Sequence, residues 1–405
     1  MSGFFSSSVL DSKPPTSLIP KCGACGLYKK CQSPKLEPVG QGKRKVLIVY
    51  EAPCDNDDTA GRLLSRPNSS LPLETAIRKC SGDILRDCWV TTALICHTGG
   101  KPPTPDQIDY CRPNLIKTIN TLQPNVIIPL GTAGVGSLLP YIWKGSIGVS
   151  NRWFGLQIPC QELNAWVCPS YSPAYVNHAI NSNHMKAPVL RIHFNKHIAN
   201  ALKHDGKPWD TVPDYRKEIT IVQEPRKAAA QIRKMIKRGG AVAFDYETDR
   251  IKPDNKESRI VSASVCWRGK HTIAFPWHGD AVTAVGELLR SPLPKIGCNL
   301  KFEDRWTRRH LGHRVRNWYW DTMLAAHVID NQPGITSIKF QAFALLGAPS
   351  YDGHIKKFLQ GIRGQESNQI DLIETKDLLL YNGLDSLLQY KVAIKQMEIL
   401  EHPLP

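Results

Sequence analysis

The sequence predicts an α/β protein built from two domains. Three observations carry that reading: 405 residues exceed what one hydrophobic core usually encloses, apolar runs of strand length recur in both halves, and a polar stretch at 203–217 separates them.

In the first half, VLIVY at 46–50, WVTTALI at 89–95, NVIIPL at 125–130 and AWVC at 165–168 are nearly continuous apolar runs with helix-length segments between them. Strands buried on both faces have this character, so a largely parallel sheet with helices on both sides is expected over 20–202, after a flexible terminus at 1–19. Residues 118–143 carry no charge, yet Pro124, Pro129, Gly131, Gly134, Gly136 and Pro140 interrupt them. Strand, turn and short helix fit that pattern better than a membrane span. The segment KHDGKPWDTVPDYRKE, starting at 203, reads as linker.

The second domain, 218–405, opens with a strand at 219–223, a basic helix at 226–238 and the strand AVAFDYET. VSASVCW and HTIAFPW, joined by Arg268-Gly269-Lys270, read as a hairpin. KIGCNLKFEDRW reads as a strand ending in Glu303 and Asp304, and a helical pattern runs from Asp371 to about Leu400.

Hydrophobic content of 41% with 22% charged residues excludes collagen-like, disordered and disulfide-stapled chains. The net charge is +16; residues 1–210 hold 23 basic and 14 acidic side chains, so the excess is not confined to one tail. Such a field attracts polyanions, and nucleic acid is the partner expected. The N-terminal residues lack a secretory signal, which predicts a cytoplasmic protein, not bound to membrane, whose twelve cysteines are reduced thiols or metal ligands.

Cys22 and Cys25 form a C-x2-C pair, Cys31 follows six residues on, and Cys96 and Cys111 lie downstream. Four thiolates from two places suit either zinc or an iron–sulfur cluster, and spacing alone leaves both open. With CGACGLYKKC, VLIVYEAP, ALICHTGGKPPTPDQIDYC, VIIPLG and VCPSYSPAYV in that order, residues 20–200 resemble the family 4 uracil-DNA glycosylases and their phage relatives. The resemblance implies a three-layer α/β glycosylase-like domain with a 4Fe-4S cluster on Cys22, Cys25, Cys96 and Cys111, Cys31 being the reserve ligand. Three positions depart from the family. Its Gly-Glu-Ala-Pro-Gly turn reads Tyr50-Glu51-Ala52-Pro53-Cys54, its uracil-reading Asn is Thr92, and the His of its H-P-S motif is Ser172. Glu51 is retained, but the missing glycine, amide and imidazole imply a degenerate site kept for binding DNA or a partner. Asp57 and Asp58 nearby leave residual activity or a changed base preference open.

Asp245 and Glu247 alternate on a predicted strand and so share a face; two adjacent carboxylates repel unless a cation lies between them. Tyr381 and Asp385 are spaced to share one face of the late helix. D-x-E, the acid after N-x-K-F, Y-x3-D and the segment WDTMLAAHVI make residues 218–400 resemble the DEDDy 3′-5′ exonucleases, most closely the proofreading domain of family A DNA polymerases. That resemblance implies an RNase H-like (DnaQ-type) mixed sheet, two Mg²⁺ or Mn²⁺ ions on Asp245, Glu247 and Asp385, and Tyr381 orienting the attacking water. The second-motif acid is Glu303, with Asp304 as its alternative; the family's usual residue there is Asp. Arg305, Arg308 and Arg309 are positioned to attract a single-stranded 3′ end, and the neighbouring tryptophans read as core.

Some phage family A polymerases resemble this layout and continue into a polymerase domain. The chain ends at Pro405, about where that domain would begin, and carries no polymerase motif. A proofreading exonuclease subunit or fragment, in a bacterial or phage-infected cell, is therefore expected with a family A polymerase domain or subunit as partner. A repair nuclease with an active glycosylase domain and a non-catalytic DNA-docking module are the alternatives.

Overall fold

A computed structural model describes residues 22–65, 71–359 and 367–405. The terminus expected to be flexible, 1–19, lies outside the described residues. Two compact units are present, Met1–Val212 and Pro213–Pro405.

The first unit runs β1 (Val46–Tyr50), α1 (Asp55–Ala60), α2 (Leu71–Lys79), α3 (Ile84–Asp87), β2 (Cys88–Thr92), α4 (Pro105–Leu122), β3 (Val126–Pro129), α5 (Gly131–Ile142), β4 (Ile158–Cys160), β5 (Ala165–Val167), α6 (Pro173–Asn181) and α7 (Ala187–Ala201). Its sheet has the order β2-β1-β3-β5-β4, parallel except for β4 against β5. Val46, Ile48, Val126 and Ile128 pack with Leu73 and Ile77 of α2 and Phe194 and Ile198 of α7, while α5 packs on β1 and β3 and is itself packed by α4. This is the three-layer α/β arrangement expected of strands that are apolar on both faces. The charge-free stretch resolves into the end of α4, then β3 and α5. Among the described residues no helix is long and apolar enough to cross a membrane.

The second unit runs β6 (Ile219–Ile221), α8 (Pro225–Arg238), β7 (Val242–Thr248), β8 (Ile260–Trp267), β9 (His271–Pro276), α9 (Asp280–Arg290), β10 (Lys295–Gly297), α10 (Leu300–Leu311), β11 (Trp318–Asp321), α11 (Thr322–Ile329), α12 (Ile338–Leu346), α13 (Lys356–Leu359) and α14 (Thr375–Ile399). Its sheet has the order β11-β10-β7-β8-β9-β6, with β7, β8 and β9 antiparallel and β10 and β11 parallel to β7. That mixed order is the RNase H-like one.

Alternation along β7 decides what each face does. Phe244 and Tyr246 enter the core with α8 and α9, and Ala243 packs with Leu387 and Ala393 of α14 on the opposite face. Asp245 and Glu247 share that opposite face. Gly383 lets α14 lie close to the sheet, since a Cβ there would come within 2.6 Å of Ile219 Cγ2. One expectation is corrected: KIGCNLKFEDRW is strand only over Lys295–Gly297, and Glu303 and Asp304 lie in α10. Asn299, at a left-handed φ of 62°, turns the chain into that helix. The carboxylate of Asp321 accepts from the amides of Asn299, Leu300, Met323 and Leu324, tying the starts of α10 and α11 together. Trp306 is a fully buried core residue, and the half-buried Trp318 packs against that core, stacked on Phe244 at 5.5 Å.

Candidate active site

Asp245 and Glu247 from β7 and Asp385 from α14 each offer a carboxylate oxygen within 4.8 Å of the other two. Asn382, one turn before Asp385, donates to Asp245 Oδ2 at 2.8 Å and is held by Ser262 Oγ on β8 at 3.3 Å. Tyr351, in the segment between α12 and α13, donates its hydroxyl to Asp385 Oδ1. Burial, then repulsion from neighbouring carboxylates, pushes the acids of Asp245 and Glu247 well above the ordinary carboxylate range.

Glu303 reaches the same cluster from α10. It is 3% exposed, its Oε2 has no hydrogen-bond partner, and burial followed by repulsion from Asp245 raises its acid as well. Asp304 turns away, accepting from the Val315 amide at 3.1 Å. The geometry thus separates the two candidates: Glu303 faces the carboxylates, and Asp304 closes the turn that follows α10.

Tyr381 lies on the same helix as Asp385. Its hydroxyl accepts from Lys339 Nζ of α12 at 2.7 Å, and that ammonium lies 3.8 Å from Asp385 Oδ2. Burial alone would lower the Lys339 ammonium; Asp385 and Glu247 reverse the sign and raise it. Burial and the same carboxylates keep the Tyr381 phenol protonated. Buried carboxylates with an unpartnered oxygen among them are costly without a cation, and hard oxygen donors of this kind fit Mg²⁺ or Mn²⁺. Arg305, Arg308 and Arg309 are exposed on α10, Arg305 pairing with Asp254 at 2.6 Å.

In the first unit, Cys22, Cys25, Cys96 and Cys111 line one pocket with Tyr28, Lys35 and Asn114. The Lys35 amide donates to Cys96 Sγ at 3.3 Å and the Ile95 amide to Cys111 Sγ at 3.4 Å. Cys31 is absent from that lining and sits beside Cys96 and Asp58 instead.

A second, larger pocket brings Glu51 and Ser172 together with Phe154, Tyr171, Tyr175 and His193. Glu51 Oε1 lies against the start of α5, accepting weakly from the Ala133 amide at 3.4 Å, and a Cβ on Gly131 would strike it at 2.6 Å. The expected grouping with Cys54 and Thr92 is corrected. Cys54 caps α1, and Thr92 is 2% exposed at the end of β2; neither lines this pocket. Tyr50 packs its ring against the apolar core that includes α2. Asp57 and Asp58 serve local structure, Asp57 accepting from Ser65 and Cys54 and Asp58 from the amides of Gln32 and Ser33.

Sequence reasoning passed over Lys339, Tyr351 and Asn382. A lysine in the first turn of the mostly apolar segment IKFQAFALL was a usable signal, because a lysine sinks toward a core only when paired.

Each unit matches one family model. Residues 37–196 match the family model of the uracil DNA glycosylase superfamily, and residues 219–396 match that of the 3′-5′ exonuclease. A Type-4 uracil-DNA glycosylase of Pyrobaculum aerophilum is 28% identical over 186 residues, 45% of this chain and 88% of that protein. The DNA polymerase of Bacillus phage SP01 is 22% identical over 397 residues, 89% of this chain and 41% of its own length, so the similarity runs through both units and spans about two fifths of that polymerase. Among solved structures, RNase D of Escherichia coli aligns over 45% of either chain at 12% identity with a TM-score of 0.37.

Proposed function

We propose that the protein is a metal-dependent 3′-5′ exodeoxyribonuclease that proofreads for a family A DNA polymerase, as a subunit or as part of a longer chain. The observation that supports this best is the convergence of Asp245, Glu247 and Asp385 from separate elements to within 4.8 Å, beside Glu303 and Tyr381.

Asp245, Glu247 and Asp385 would hold two Mg²⁺ or Mn²⁺ ions, which when bound supply a water activated at neutral pH and neutralise charge growing on the phosphate. Glu303, with one oxygen unpartnered, is suited to hold an ordered water at the edge of that cluster. Tyr381 accepts from Lys339 and therefore has its own proton to donate, which orients the lone pairs of the attacking water. Asn382 and Tyr351 fix the carboxylates they bind. The exposed arginines of α10 draw in the phosphates of a single-stranded end.

In the first unit Cys22, Cys25, Cys96 and Cys111 would hold a 4Fe-4S cluster. Their shared pocket, with the Lys35 and Ile95 amides donating to Cys96 and Cys111, supports that reading. The pocket around Glu51 keeps a carboxylate and aromatic walls but presents Ser172 where the related glycosylases present histidine. It is retained for binding DNA or a partner. The retained Glu51 is what favours the second reading, a repair nuclease that still releases a base.

Excision of mispaired and paired 3′ ends from labelled primer–templates tests the main proposal; faster excision of the mispaired end is expected, and equal rates on both would argue against proofreading. Release of uracil at single-turnover rates like those of an active glycosylase would favour the second reading.

A further inference from the structure

We infer that Lys339 is a positioning residue of the exonuclease site, acting through Tyr381; this rests on the exonuclease reading. Lys339 stands on α12, outside every acidic segment of the sequence, and reaches the site only because α12 packs against α14. Its ammonium donates to the Tyr381 hydroxyl at 2.7 Å, lies over that ring at 4.9 Å and over the Tyr351 ring at 5.6 Å, and stands 3.8 Å from Asp385.

These contacts have a directional consequence. An ammonium has only donors, so the phenol oxygen of Tyr381 is committed as an acceptor and the phenol hydrogen must point elsewhere. A tyrosine free to rotate could accept a proton from the attacking water or donate one to it; with Lys339 in place only donation remains. The same cation faces Asp385 Oδ2 at 3.8 Å, while Tyr351 donates to Oδ1, so the two oxygens of that carboxylate have different partners. One side chain thereby fixes the rotamer of the tyrosine and the orientation of the Asp385 carboxylate.

The test is a double-mutant cycle on digestion of a 5′-labelled single strand in Mg²⁺, comparing Lys339→Met, Tyr381→Phe and the pair. Misplacing a reacting group typically costs on the order of 10²-fold, so Lys339→Met is expected to lower kcat by roughly that factor with KM for DNA nearly unchanged. In the Tyr381→Phe background the same change is expected to cost less than about threefold, because the group it acts through is gone. Lys339→Arg, which restores a donor, is expected to recover about tenfold of the loss. Equal losses in both backgrounds, or a Lys339→Met enzyme with unchanged kcat, would overturn the inference. Should Lys339→Met lose its native unfolding transition, the cycle is read with Lys339→Gln under the same two criteria. An intact protein that digests nothing would overturn the exonuclease reading itself, a result separable from failure of the cycle.

Discussion

Glu303 and Asp304 are adjacent in sequence and meet different neighbours, Asp245 and the Val315 amide. A helix turns about 100° per residue, so one of two neighbouring acids can face the carboxylate cluster while the other faces the following turn. Replacing Glu303 with Gln is expected to reduce exonuclease turnover by on the order of 10²-fold and leave folding intact. Replacing Asp304 with Ala is expected to leave turnover near that of the parent and lower stability by about 1 kcal/mol, the worth of its bond to the Val315 amide. Parallel rate and urea-unfolding measurements check both, and the reverse pattern would restore Asp304 as the motif acid. The sequence offered both candidates because register in a short helix is not visible in a string of letters.

His197 gives the first unit a pH dependence whose sign can be worked out. Burial, then the nearby His193 and Lys196, holds its imidazole down to about 4, against an ordinary 6.5. Its ring stacks on Tyr171 at 5.6 Å and bonds Ser170 Oγ at 3.1 Å. A depressed folded value means that the unfolded chain binds the proton more readily. The stability this group contributes is therefore complete above pH 6.5 and is lost as pH falls toward 4, by roughly 2–3 kcal/mol at most. Melting of the first unit is expected to drop over that interval, and His197→Gln should flatten the drop; an unchanged slope would contradict the assignment.

At the scale of elements, the acidic motif depends on how α10 and α11 begin. Asp321 binds four amides at the two helix starts and so fixes where α10 presents Glu303. Asp321→Ala is expected to cost about 1–3 kcal/mol of stability and to slow digestion, although Asp321 does not touch the cluster. Denaturant unfolding beside turnover measures both; a loss of stability without a loss of rate would show that α10 holds its position unaided.

The strands read from the sequence were β1, β2, β3, β5, β7, β8 and β9, with long apolar runs or a hairpin pattern, together with the short β6 and β10. By contrast, β4 is three residues with a central proline, and β11 is WYWD, half-buried throughout, so neither shows a period of two. Tyr351 was illegible for a different reason, and Lys339 left only the hint of a lysine in a mostly apolar helix. They join the site through packing of α12 and the following segment against α14, a contact that leaves no local spacing in the chain.

At the scale of the whole molecule, each unit owns its core and its candidate cofactor site, and the positive charge is shared by both. The order of motifs along the sequence was enough to anticipate two α/β domains, the carboxylate cluster and the gathering of the four cysteines. It was not enough to place Cys54 or Thr92, because distance from a pocket follows from side-chain direction. If the first unit is folded around an iron–sulfur cluster, anaerobically purified protein is expected to be brown with about four irons per chain. Cys96→Ala should then lose iron together with the cooperative melting of that unit. Colourless protein carrying one zinc would contradict this.

The most direct measurement is the product ladder from a 5′-labelled single-stranded oligonucleotide incubated with the intact protein, with and without Mg²⁺, beside Asp245→Ala. The account predicts stepwise shortening from the 3′ end that requires the metal and disappears in the variant, since losing one ligand uncouples the clamp at the phosphate. Shortening that persists in chelator or in Asp245→Ala, or an intact protein that leaves the strand whole in Mg²⁺ and in Mn²⁺, would contradict it.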